Sequence, residues 1–166
     1  ETLGSHIGYL PQTLHMLPGT VGQNIARFDP EARDTEVIEA ARIAGVHEMI
    51  LALPDGYATH LEQTSCRLSG GQLQRLGLAR AVFGGPRLIV LDEPNSNLDA
   101  NGDDALSEAI RIMRDRGSVV VVMAHRPSAI AAVNKVMLLH KGRAERFGEK
   151  NEVLGLTPRP VSVVSG

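Results

Sequence analysis

Two short runs in this chain carry residues that could do chemistry. In the first, Asp92 and Glu93 follow directly on four apolar residues, Leu88-Ile89-Val90-Leu91. An apolar strand that delivers adjacent carboxylates at its C-terminal end suits magnesium-dependent phosphoryl chemistry, because one acid can hold the metal's water shell while the next polarises an attacking water. An exposed acidic turn after a strand looks the same, so the pair alone leaves both readings open. In the second run, Leu68-Ser69-Gly70-Gly71-Gln72, a serine and two glycines precede a helical stripe. Such a start leaves backbone N–H groups uncovered at the positive end of a helix, where a phosphate can sit, with Ser69 acting as both cap and ligand. An ordinary serine N-cap with permissive glycines explains the same residues and, taken alone, is the simpler account.

The elements that must position these residues follow from the apolar spacing. Ile7-Gly8-Tyr9-Leu10 is stopped by Pro11 and reads as a strand, with Gln12 just past its end. Leu88 to Leu91 and Val119 to Met123 do not alternate, which predicts strands buried on both faces of a parallel sheet. Between them Leu98, Leu106, Ala109, Ile110 and Met113 mark an amphipathic helix closed by Gly117, completing a strand–helix–strand unit. Leu73, Leu76, Ala79 and Phe83 place another helix between Ser69 and Gly84-Gly85-Pro86. Upstream, Thr20 caps a short helix over Val21 to Ala26, and Asp34 to Leu53 is mostly helical. Downstream, a short helix around Ala129 to Val133 precedes a strand at Val136 to Leu139, with a hairpin partner at Arg143 to Phe147. Gln12, Glu93 and His125 each follow a predicted strand, so parallel strands would set them along one sheet edge.

Composition bounds the rest. A length of 166 residues with 43% apolar content supports a single core, and 17 basic against 19 acidic residues give a net charge of −2, which disfavours nucleic-acid binding by bulk charge. The longest clean apolar run, Val119 to Ala124, falls far short of the roughly 18 to 20 residues of a membrane-spanning helix. The single cysteine, Cys66, can form no internal disulfide and reads as a passive thiol, which fits a reducing, cytosolic setting. His6, His15, His47, His60 and His140 share no ligand spacing, and Arg75 and Arg80 on the signature helix could approach phosphate, although a solvated or salt-bridged face is the simpler account. The chain opens at Glu1 with neither an initiator Met nor a secretory signal, so it reads as a piece of a longer protein.

Five motifs in order resemble the nucleotide-binding domain of ATP-binding cassette (ABC) transporters. Tyr9-Leu10-Pro11-Gln12 is similar to the Q-loop, Leu68 to Gln72 to the signature, Leu88 to Glu93 to the Walker B strand, Ser96-Asn97-Leu98-Asp99 to the D-loop, and Ala124-His125-Arg126 to the switch histidine. The resemblance implies an α/β fold: a partial P-loop NTPase core with a parallel sheet plus a helical signature subdomain over about 30–84, the ABC domain spanning 1–156 and a loose tail 157–166. It implies ATP and Mg²⁺ as cofactors. Asp92 and Gln12 would serve the metal, Glu93 would be the general base, and Gln12 and His125 would meet the γ-phosphate. Ser69, Gly70, Gly71 and Gln72 would bind the ATP of an opposite subunit, with Asp99 helping to build that contact, so the implied partners are a second such domain, as a homodimer, and a transmembrane domain. Leu17 to Val21 with Asn24-Ile25 resembles the exporter surface that receives coupling helices, and Leu53-Pro54-Asp55-Gly56-Tyr57 with Glu93 to Asp99 resembles type I protein-secretion exporters at the cytoplasmic face of the inner (plasma) membrane.

Two departures stand beside the resemblance. No G-x-x-x-x-G-K-[ST] phosphate loop occurs, so the Walker A portion is missing, consistent with a cut before Glu1, and the fragment alone would be inactive. Glu62 to Arg67 replaces the glycine-rich segment expected before the signature. The alternatives are a soluble ABC-type ATPase acting on DNA or ribosomes, and a non-catalytic binding module.

Overall fold

The computed structural model describes residues 3–62, 68–124 and 127–155. The chain divides into two compact units, Glu1–Ala132 and Val133–Gly166.

In the first unit the three predicted strands form one parallel sheet: β1 (Ile7–Leu10), β2 (Leu88–Asp92) and β3 (Val119–Met123), in that spatial order. Leu10 pairs with Leu91 and Asp92 with Met123, so all three strands end at the same edge of the sheet. Two-face burial, expected from the unalternating pattern, holds on one face only. Gly8, Leu10, Ile89 and Leu91 are buried, whereas Val119 is 61% and Val121 43% exposed. Among the described residues the helices that pack on this sheet, α4 (Gly70–Val82) against β1 and α5 (Ala100–Asp115) against β3, cover the buried rows.

Four helices precede β2. Thr20 caps α1 (Val21–Ile25) through a reciprocal box with Gln23. The helical stretch from Asp34 is split into α2 (Asp34–Ile43) and α3 (His47–Leu51) around Gly45. The central element is α4, which touches α1, α2, α5 and β1 and buries Leu76, Leu78, Ala79, Ala81 and Val82. Its approach to β1 is close enough to require glycine: a Cβ on Gly8 would lie 1.9 Å from the Ala81 carbonyl oxygen.

Arg27 fastens this packing. Its guanidinium donates to the carbonyls of Arg80 (2.9 Å), Ala81 (3.0 Å) and Ile7 (3.0 Å), and at longer range to Gly4 and Phe83. The last carbonyls of α4, which have no partner within the helix, are satisfied in this way. Burial, reinforced by the nearby charge of Arg80, holds the Arg27 pKa below its ordinary value.

A 3-10 turn, Pro127–Ile130, stands where a helix around Ala129 was expected. The second unit is an antiparallel hairpin of β4 (Lys135–His140) and β5 (Arg143–Glu149), as the sequence predicts, followed by a short α6 (Lys150–Val153).

Candidate functional site

The N-terminus of α4 is built by Ser69. Its hydroxyl accepts from the Gln72 N–H at 3.2 Å, while the Gln72 side chain accepts from the Ser69 N–H at 2.8 Å. The capping account of Ser69 therefore holds in full, and Gln72 is engaged in the same box. Gly70 and Gly71 lie against Asn97: a Cβ on Gly71 would stand 2.9 Å from the Asn97 carbonyl oxygen. Any side chain at position 71 would thus push the helix start away from the 95–99 segment.

Asp99 caps the next helix, its Oδ1 accepting from the Gly102 N–H at 2.8 Å. Ser69, Gly70, Gly71 and Asp99, together with Arg75 and Asn97, line a cavity of about 320 Å³. The lining thus combines the positive end of α4 and the basic Arg75, which favour an anion, with one carboxylate, Asp99. Of the two arginines that the sequence leaves able to approach phosphate, Arg75 lines the cavity and donates to the Gly45 carbonyl at 3.4 Å. Arg80 instead donates to the His15 carbonyl at 3.2 Å.

Asp92 ends β2, and Glu93 stands just beyond it at the sheet's C-terminal edge, both half-buried. Gln12 is exposed two residues past the end of β1, at the same edge. Register thus brings Gln12, Asp92 and Glu93 to one edge of one sheet, where open α/β folds bind ligands. His125 lies outside the described residues, as do Cys66 and Arg67.

Glu93 adopts φ +47°, a left-handed conformation that costs a non-glycine residue roughly 1 kcal/mol or more. Its peptide is held on both sides. The Glu93 N–H donates to the Met123 carbonyl at 2.8 Å, and its carbonyl accepts from the Ser96 N–H at 3.2 Å and from Gln74 Nε2 at 3.0 Å. The conformation leaves the backbone of Glu93 fully bonded.

Gln74 is the site residue that the motif reading missed. It is buried within α4, and its amide also meets Ser96 Oγ at 3.2 Å and accepts from the Asn97 N–H at 3.1 Å. The available signal was a polar residue on the helix stripe shared with Leu78 and Ala81, since a buried amide must find partners.

Asp92 and Gln12 offer oxygen donors, the kind magnesium takes, and two protein oxygens leave its other positions to phosphate and water. Among the described residues no group of three or more His, Cys, Asp or Glu could hold a metal alone. The donor set fits a phosphate-bound magnesium. A second, more apolar cavity of about 630 Å³ lies among α1, α2 and the turn at Tyr57, lined by Gly22, Phe28, Pro30, Val37, Ile38 and Tyr57 among others. Asn24, buried in α1, organises its margin by donating to the Leu17 and Thr20 carbonyls and accepting from the Leu17 N–H. Among the described residues no helix is long and apolar enough to cross a membrane.

Comparison with known proteins places these features in a family context. The family model described as ABC transporter matches residues 1–96. The chain is 51% identical over 163 residues, 98% of its length and 28% of the relative's, to the type I secretion system ATP-binding protein PrsD of Rhizobium meliloti (strain 1021). It is 36% identical over 154 residues, 92% of its length and 26% of the relative's, to a putative multidrug export ATP-binding/permease protein of Staphylococcus aureus (strain NCTC 8325 / PS 47). It superposes with a TM-score of 0.82 and 29% identity on a bacterial Atm1-family ABC exporter solved with ATP bound, covering 94% of this chain and 27% of that one. The chain spans about a quarter of the length of the relatives it matches.

Proposed function

The chain belongs to the ABC transporter family, and from that premise we propose that it is the ATP-binding and hydrolysing motor segment of an exporter of the type I protein-secretion kind. The observation that carries the reading is the parallel register, which sets Gln12, Asp92 and Glu93 on one sheet edge while the start of α4 shares a cavity with Asp99. Those are the two halves of a site that hydrolyses a nucleotide between two subunits.

In this reading Glu93 takes a proton from water as the water oxygen attacks the γ-phosphorus and ADP leaves. Magnesium, when bound, neutralises charge on the phosphate oxygens. Asp92 and Gln12 orient that end of the nucleotide, and His125 meets the γ-phosphate. Ser69, Gly70, Gly71 and Gln72 present the positive end of α4 to the nucleotide of a second, identical domain, and Asp99 stands at the contact between the two. Closure of that dimer is the motor stroke, and hydrolysis reopens it. The cavity beside α1 receives a helix of the transmembrane domain, which sets the motor at the cytoplasmic face of the inner (plasma) membrane. The ABC domain of the full-length protein includes residues 1–156, with 30–84 as its helical part. A soluble ATPase acting on DNA or ribosomes has less support, because the relatives' names are those of secretion and export proteins and the net charge is −2.

The test is Glu93→Gln in the full-length protein. ATP binding is retained, while turnover falls by on the order of a hundredfold to ten-thousandfold, the range for losing a positioned general base. Unchanged turnover would remove Glu93 from the reaction.

A further inference from the structure

We propose that Gln74 is a positioning residue for hydrolysis, its buried amide setting the direction of Glu93 and tying that segment to the helix that starts at Ser69. The inference rests on the reading of Glu93 as general base.

Gln74 is only 5% exposed, and both ends of its amide are in use. Nε2 donates to the Glu93 carbonyl at 3.0 Å, and Oε1 accepts from the Asn97 N–H at 3.1 Å. A flipped amide would set oxygen against carbonyl and N–H against N–H, so the two backbone partners define its orientation. Ser96 Oγ adds a contact at 3.2 Å to the same nitrogen. One side chain on α4 thus grips the segment carrying Glu93 at both its first and its fifth residue, while Gly71, three residues earlier, lies against the Asn97 carbonyl.

The grip falls where the backbone is strained. Glu93 at φ +47° relaxes toward the right-handed region when its bonds are removed, and that rotation redirects its side chain. Removing Gln74 leaves the Ser96 N–H bond to the same carbonyl but frees the segment from α4. The effect therefore falls on the chemical step. Nucleotide affinity, supplied by other groups, is spared.

Four forms of the full-length protein decide it: wild type, Gln74→Leu, Glu93→Gln and the double variant, each measured for ATP binding, steady-state turnover and single-turnover rate. Gln74→Leu is expected to lower kcat by about 10- to 100-fold with ATP affinity within about twofold, the scale of loss for a misplaced catalytic group. In the Glu93→Gln background the same change is expected to alter the residual rate by less than about twofold, because Gln74 acts through Glu93. An inactive Glu93→Gln beside a Gln74→Leu of near-normal kcat overturns this inference alone, as does a loss that multiplies in the double variant. A Glu93→Gln form that still turns over removes the general-base reading and this inference with it. If Gln74→Leu does not fold, Gln74→Met carries the same expectation, since it fills the same length of side chain and lacks both ends of the amide.

Discussion

Replacing Gly8 by alanine adds one methyl group, and its cost can be worked from the contact between β1 and α4. The new Cβ would stand 1.9 Å from the Ala81 carbonyl oxygen and 3.0 Å from both the Ala81 carbonyl carbon and Pro86 Cγ. Non-bonded heavy atoms settle at about 3.5 Å, so strand and helix must separate by on the order of 1.5 Å. The nearest atoms are backbone, and no rotamer change can relieve them. Overpacking of a well-filled core costs typically 1–3 kcal/mol, and the absence of side-chain relief places this case near 3 kcal/mol or above. Gly8 does not have a positive φ, so alanine can adopt its backbone conformation. Propensity alone would then make the change stabilising, by roughly 0.4–1 kcal/mol. The steric argument reverses the sign. In thermal unfolding of the full-length protein, followed through the transition of this domain, about 3 kcal/mol corresponds to a fall in Tm of roughly 6–12 °C at this size. Turnover is expected to fall as well, since β1 leads directly to Gln12. A Tm that stays the same or rises would show that β1 and α4 do not approach as described.

Substitutions at two further positions test other parts of the packing. Arg27→Lys keeps the charge but replaces a fork that reaches five carbonyls by a single point of donors, and is expected to cost about 2–3 kcal/mol, read as a lowered Tm, with Arg27→Ala costing more. Equal stability of the Lys and Arg forms would count against the fork. Tyr57, whose hydroxyl lies 2.8 Å from His47 Nδ1, has its pKa pushed up by burial, an effect that Arg42 opposes and Glu48 assists. Its folded pKa is above the unfolded value of about 10, so its contribution is fully present below about pH 10 and is lost as pH rises through the folded value. Tm should therefore decline above about pH 10 in wild type and decline less in Tyr57→Phe, a difference read from parallel melting curves. Coincident profiles would refute the assignment.

The strands and caps were legible because they are decided by neighbours in the chain. Ile7 to Leu10 ends at a proline, and the observed β1 has the same bounds. Thr20 and Ser69 cap the helices they precede, since a hydroxyl three residues before a glutamine, whose Oε1 accepts from the capping residue's N–H, closes the box without help from elsewhere. The parallel arrangement followed from strand–helix–strand order, and with it the shared edge for Gln12 and Glu93. Two-face burial of the strands did not follow, because burial depends on what covers a face, and an apolar run is silent about that. Gln74 and Arg27 were invisible for a related reason. Their partners are 19 to 23 and 20 to 56 residues away, and only the packing of α4 between β1 and the segment after β2 brings those groups within reach. The left-handed Glu93 belongs to the same class: no local preference favours it, and it persists because bonds from β3, Ser96 and α4 converge on the backbone of one residue. The sequence by itself determined which residues could act on a phosphate and the elements they stand on, through capping, periodicity and strand order. How the acid is aimed was decided by tertiary structure alone, because the groups that hold it are supplied by distant parts of the chain.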